Sequence, residues 1–116
     1  MISKKYRLKG ETNFRNIFKK GKKIFSQFLG LYWLENGLDI SRFGIIVSLK
    51  VDKRSTRRNL LKRRLRAILR QELVNIKPGF DILILTNPKT INISFSELRN
   101  ELIRLFRKAG LIIKND

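Results

Sequence analysis

Between Lys50 and Arg70 the chain reads KVDKRSTRRNLLKRRLRAILR, ten Lys/Arg against one acid, Asp52. This is half of a formal net charge of +18, and chemistry of this kind binds phosphate backbones with strong salt dependence. Arginine dominates the second half of the run, and its planar guanidinium forks phosphate oxygens and stacks on bases. Asn59 stands inside the run. Its amide can bond a base edge, a 2′-hydroxyl or a neighbouring backbone group. Bond-breaking chemistry has few candidates. His and Cys are absent, which removes the commonest general base, the commonest transition-metal ligand and any disulfide. The nine acids (Glu11, Glu35, Asp39, Asp52, Glu72, Asp81, Glu97, Glu101 and Asp116) are scattered. None forms a pair whose spacing suggests a protein-built hydrolytic metal site. We therefore expect no catalytic residue and no metal ligand in the protein itself.

The basic run also carries an apolar stripe, so a folded element positions it. With about 100° per residue, Leu61, Leu65, Ile68 and Leu69 gather on one side of a helix spanning about Thr56 to Val74, and this side faces a core. Asn59, Lys62, Arg63, Arg66 and Arg70 gather on a second side. Arg57 and Arg64 lie on the opposite flank, and Leu60 sits apart from the stripe. An ordinary solvated helix face intersperses Glu with Lys for i,i+4 support. Here Lys62/Arg66 and Arg66/Arg70 repel instead, a placement that a phosphate backbone would offset.

The rest of the chain supplies one core. Its 116 residues, 42% apolar, suit a single domain, 1–116. A first helix is expected over about Thr12 to Lys20, capped by Thr12 or Asn13 and ended by Gly21. Phe14, Ile17 and Phe18 share one of its faces. Extended segments follow over Phe25 to Glu35 and Phe43 to Leu49, with Asn36-Gly37 as a turn signal between them. Phe80 to Thr86 is an almost wholly apolar run, as expected for a strand covered on both faces. Ser94 and Glu97 form a capping box for a last helix with a Leu98, Leu102, Leu105, Phe106 stripe, closed by Gly110. The strand, basic helix, strand unit predicts a crossover between parallel strands, generically right-handed. No run of about 20 apolar residues predicts a membrane span, and MISKKYRLKGETNF has no apolar h-region of a signal peptide. A cytoplasmic protein that binds no membrane is the expectation.

Arg58-Asn59-Leu60-Leu61-Lys62-Arg63-Arg64-Leu65-Arg66 resembles the RNR motif of the bacterial ribonuclease P protein component, which usually reads Arg-Asn-basic-apolar-Lys-Arg-x-apolar-Arg. The resemblance extends over nearly the whole chain. YRLK (6–9) with FRNIFKKG (14–21) is similar to the family's N-terminal helix, and FLGLY (28–32) to its aromatic strand. GIIVS (44–48) precedes the basic helix, and DILIL (81–85), Pro88 and a leucine-rich helix complete the order. Two features depart from the family pattern. Leu60 replaces a second basic residue, and LKVDKRSTR lacks the usual Lys-Lys-x-Gly-x-Ala-Val approach and is one residue longer.

The resemblance implies an α+β sandwich in α-β-β-β-α-β-α order, with a central sheet packed by helices and the basic helix in a left-handed crossover. It implies an accessory subunit. A catalytic RNA, using Mg2+ held mainly by RNA and substrate, would remove the 5′ leader of precursor tRNA. The partners are those two RNAs, with no obligatory protein partner. Arg58, Asn59, Lys62, Arg63, Arg66 and Arg70 would contact RNA, joined by Lys53, Arg54 and Arg57 from the approach loop. Phe14, Phe18 and Tyr32 would line a leader-binding cleft, where aromatic rings stack on unpaired bases, with Arg15, Lys19 and Lys20 at its rim. Phe14 and Phe18 at helical spacing also fit a plain core. Strand alternation gives two faces, Phe28/Gly30/Tyr32 and Leu29/Leu31/Trp33, and the resemblance selects Tyr32. Composition alone equally fits a ribosomal or other structural RNA-binding protein. A helix-turn-helix module fits less well, since strand-like residues rather than a short helix precede the basic helix.

Overall fold

A computed structural model describes residues 3–113. Its main elements are α1 (Glu11–Lys20), β1 (Lys22–Phe25), β2 (Leu29–Glu35), β3 (Arg42–Ile46), α2 (Ser55–Glu72), β4 (Phe80–Thr86) and α3 (Phe95–Lys108). The α-β-β-β-α-β-α order is as expected. One four-stranded sheet runs β1-β2-β4-β3. Strand β4 pairs antiparallel with β2 and parallel with β3, so α2 is the crossover helix between two parallel neighbours.

Alternation along the strands divides the core in two. Leu31, Ile82, Ile84 and Phe43 face α2 and α3, where they meet Leu61, Leu65, Ile68, Leu69, Leu98, Leu102, Leu105 and Phe106. Leu83 points the other way and packs with Ile17 of α1 and Leu8. Ile82, Leu83 and Ile84 are all inaccessible to solvent. Strand β4 is thus covered on both faces, which is why its sequence is a continuous apolar run rather than an alternating one.

Helix ends follow local chemistry. Ser94 Oγ accepts from the Glu97 N–H at 3.1 Å and donates to Glu97 Oε1 at 3.2 Å, starting α3. Gly110, at φ +75°, lets the Leu111 N–H reach the Phe106 carbonyl at 2.9 Å and its own N–H reach Arg107, a Schellman closure. The expected Thr12 or Asn13 cap of α1 is not formed. The helix begins one residue earlier, after Gly10, and the Asn13 side chain donates back to the Lys9 carbonyl at 2.8 Å. Gly21 does end α1, through close approach: a Cβ there would lie 2.5 Å from the Ile17 carbonyl oxygen and 2.8 Å from that of Trp33.

Four further expectations are corrected. Of the segment expected as one extended stretch, 25–35, only Leu29–Glu35 forms β2; Phe25 ends β1, and in the turn between them Ser26 Oγ accepts from the Phe28 and Leu29 N–H groups. Asn36-Gly37 does not join paired strands, because β4 lies between β2 and β3. Instead the Asn36 amide donates to Asp81 Oδ1 at 3.0 Å and to the Ile40 carbonyl at 3.1 Å, pinning the connection to β4. Strand β3 ends at Ile46, short of the expected Leu49, and α2 ends at Glu72 with a 3₁₀ turn, Leu73–Asn75, following it.

Candidate nucleic-acid interface

The rotation of α2 is set by its stripe: Leu61, Leu65, Ile68 and Leu69 are all buried. That rotation brings Asn59, Arg63, Arg66 and Arg70 together with Ala67 and Gln71 along a groove of about 540 Å³. Lys62 stands half-buried beside it, outside its lining. On the other flank Arg57, Leu60 and Arg64 line a smaller depression, of about 160 Å³, with Ile91 and Asn92. Among the described residues, no carboxylate lies within ion-pair distance of Lys62, Arg63, Arg66 or Arg70. Their charges stay available to an external anion.

Several acids are engaged elsewhere. Asp81 receives Arg42 Nε and Nη2 at 2.8 and 2.7 Å, Glu72 pairs with Arg99 at 3.2 Å, and Glu101 pairs with Arg104. Among the described residues no three His, Cys, Asp or Glu side chains gather in a metal-binding cluster. No described helix is long and apolar enough to cross a membrane.

Asp52 organises the approach to α2. Its Oδ1 accepts from the Arg54 N–H at 2.8 Å and from Arg54 Nε at 3.1 Å, and its Oδ2 from Arg54 Nη2 at 3.0 Å. Arg57 stands 3.9 Å away. These hydrogen bonds, chiefly those from the Arg54 side chain, hold the Asp52 carboxyl at about 2. Arg58 turns inward too: Nη1 donates to the carbonyls of Asp52 and Lys53, both at 2.9 Å. Of the nine basic or amide residues expected at the RNA surface, Arg54, Arg57 and Arg58 therefore already have intramolecular partners, whereas Lys53 is exposed. Because the folded carboxyl titrates below the ordinary value of about 4, its contribution to loop order is complete above that value. It is lost as pH falls through about 2. A carboxyl NMR titration of Asp52 is expected to show that low midpoint, and in Asp52→Asn the Arg54 amide should exchange faster with solvent at neutral pH. A midpoint near 4 would mean that the loop is not held this way.

The aromatic candidates meet on the opposite side of the sheet. Tyr32 shares the α1 face with Leu83, its partner on β4. Phe18, 43% exposed, packs edge-on to Tyr32 with centroids 4.9 Å apart. Phe14 is half-buried and sits over Gly44 of β3. Arg15, Lys19 and Lys20 are exposed along α1. Phe28, grouped with Tyr32 by simple alternation, belongs to the other face and lines a depression with Ile93 and Asn100 of the α3 region. The Ser26 turn breaks the alternation before β2 begins. One aromatic residue was missed: Phe25, 56% exposed, packs edge-on to Tyr32 at 5.6 Å. The signal available for it was the glycine at position 30, which lies opposite Phe25 across the β1–β2 pair.

The two surfaces approach one another around the edge of β3. Arg66 from the basic groove lines a depression of about 220 Å³ with Arg7, Lys9, Phe14 and Gly44. Basic groove and aromatic face thus share a border rather than occupying unrelated sides.

A family model described as Ribonuclease P matches residues 2–110. The ribonuclease P protein component of Syntrophomonas wolfei is 36% identical over 115 residues, covering 99% of this chain and 96% of that protein. That of Synechocystis is 38% identical over 116 residues, covering 96% and 90%. The solved RNase P protein from Thermotoga maritima superposes with a TM-score of 0.82 at 34% identity, covering 94% of this chain and 98% of that one. The protein from Staphylococcus aureus gives 0.86 at 26% identity, covering 93% and 98%.

Proposed function

This chain belongs to the ribonuclease P protein family, and we propose that it serves as the protein subunit of a cytoplasmic ribonucleoprotein that removes the 5′ leader from precursor tRNA. The observation that carries this reading is the convergence of Asn59, Arg63, Arg66 and Arg70 on one groove, with no carboxylate among the described residues within ion-pair distance of its arginines. Guanidinium groups held by a rigid helix and left unpaired suit the phosphates of a large catalytic RNA. The unpaired leader crosses the aromatic face, stacking on Phe18 and Tyr32 with Phe14 beside them. The border at Arg66 lets one protein touch both RNAs.

Side-chain chemistry supports the division of labour that the family membership suggests. The chain has no imidazole or thiol, and Asp52, Asp81, Glu72 and Glu101 each hold an arginine of the same chain. The hydrolytic step belongs to the RNA subunit, with Mg2+ held by RNA and substrate. The protein contributes positive charge and base-stacking surface, which raise substrate affinity and lower the magnesium needed to screen phosphate repulsion.

Reconstitution tests this. Protein alone is expected to leave precursor tRNA intact. Added to the cognate RNA subunit, it is expected to restore leader removal at magnesium concentrations where RNA alone is slow. Equal cleavage with and without protein at low magnesium would sink the reading. Co-purification with ribosomal subunits instead of one discrete RNA would favour a structural RNA-binding protein. Tyr32→Ala should weaken substrates with long leaders about tenfold, the loss of roughly one stacked base, and leave leaderless tRNA unaffected.

A further inference from the structure

Phe25 is placed at a structural expense that the core does not need. It lies on the sheet's outer strand, opposite Gly30 in the β1–β2 register. A Cβ added at Gly30 would come within 2.7 Å of two carbons of the Phe25 ring, so only glycine leaves the ring its seat. Glycine inside a strand is unfavourable, and an aromatic ring lying across it restores part of the lost packing. Yet the ring seated there remains 56% exposed, more so than Phe18.

Its position extends the aromatic face. Phe25 and Phe18 both pack edge-on to Tyr32, at 83° and 73°. On the α1 face, the row Phe25, Gly30, Leu85, Ile46 lies next to the row Lys23, Tyr32, Leu83, Gly44. Leu83 is sealed from solvent, whereas Leu85 and Ile46 are half-buried. The Phe25 row is therefore an open apolar floor continuous with Tyr32. Lys23, in the row beside Phe25, is exposed on the same face. An apolar ring with an exposed lysine in the adjoining row fits an unpaired nucleobase whose phosphates need cations.

We propose that Phe25, seated over Gly30, is an additional base-stacking position that lengthens the single-stranded RNA track beyond Phe18 and Tyr32. This rests on the reading of the aromatic face as the leader cleft. The occupant is one further unpaired nucleotide of the leader, held by stacking and so without a demand for sequence.

The test uses full-length protein assembled with its cognate RNA subunit and labelled precursor tRNAs whose leaders increase in length one nucleotide at a time. Phe25→Ala is expected to match the unsubstituted protein on leaderless tRNA and on the shortest leaders. It should then lose about tenfold in affinity beyond a threshold length. Phe25→Leu should lose as much, because it keeps apolar bulk without a stacking face, and Phe25→Trp should retain binding. Gly30→Ala should reproduce part of the defect with Phe25 still present, and should cost nothing further in the Phe25→Ala background. Wild-type affinity of Phe25→Ala on every leader, a loss that includes leaderless tRNA, or full binding by Phe25→Leu would each overturn the proposal. Tyr32→Ala on the same substrates separates the two readings. If it weakens long leaders while Phe25→Ala does not, only the additional position fails; if neither matters, the cleft itself fails.

Discussion

Leu65→Ala is expected to remove about 3–4 kcal/mol of stability, within the usual range for emptying a buried leucine site. Leu65 is inaccessible to solvent and lies on the stripe where α2 meets the sheet and α3. Truncating its isobutyl group to a methyl forfeits transfer free energy and leaves a cavity that neighbours on a crossover helix can fill only in part. For a domain of this size that loss is a large fraction of a total stability of about 5–15 kcal/mol. It should lower the melting temperature by more than about 10 °C. Leu60, five positions earlier and 38% exposed, is the internal comparison: Leu60→Ala should change stability by less than about 1 kcal/mol. Thermal and urea unfolding of both variants checks the rotation of α2 directly. If Leu60→Ala were the costlier change, the helix would be turned and the Asn59/Arg63/Arg66/Arg70 groove would not exist. The stability of the core and the aim of the arginines are in this sense one property, because a helix cannot bury one side without choosing what it shows on the other.

That coupling explains what was legible in the sequence. The basic helix, strand 80–86 and α3 were readable because burial imposes a local period: 3.6 for a helix on a core, and an unbroken run for a strand covered twice. Asn59, Arg63, Arg66 and Arg70 could be grouped for the same reason. What the sequence hid depends on partners far away along the chain. Strand β1, reading KKIF, has too little apolar pattern to stand out. It is an edge strand whose exposed lysines suit an unpaired edge, and its existence depends on pairing with β2. Asn36-Gly37 carries the local signal of a hairpin, but Asn36 is fixed by Asp81, 45 residues later. Arg58 begins the recognisable motif and yet turns back onto the carbonyls of Asp52 and Lys53. A run of like residues gives no local cue to which member folds inward. Phe25 was hidden because its significance comes from Gly30 on a neighbouring strand, a cross-strand relation rather than a sequence period.

Arg63→Gln with Arg66→Gln is expected to weaken binding of the cognate RNA by about two to four orders of magnitude at low salt, if each guanidinium makes one charge-assisted phosphate contact of roughly 1.5–3 kcal/mol. Glutamine keeps much of the aliphatic stem, which matters for the half-buried Arg66. The defect should shrink as salt rises, because the wild-type protein releases more counterions on binding. The slope of log affinity against log salt should fall by about one for each lost contact. Stability should move the other way. Removing Arg66 relieves i,i+4 repulsion with Lys62 and Arg70, each pair being unfavourable by about 0.2–0.5 kcal/mol. Among the described residues, neither substituted arginine gives up an ion pair. The melting temperature should therefore hold or rise slightly while affinity collapses. Affinity and stability falling together, with an unchanged salt slope, would mean that these arginines support the fold rather than the RNA. Opposite signs in the two measurements would identify a surface whose charge is tolerated by the folded protein and used by its partner.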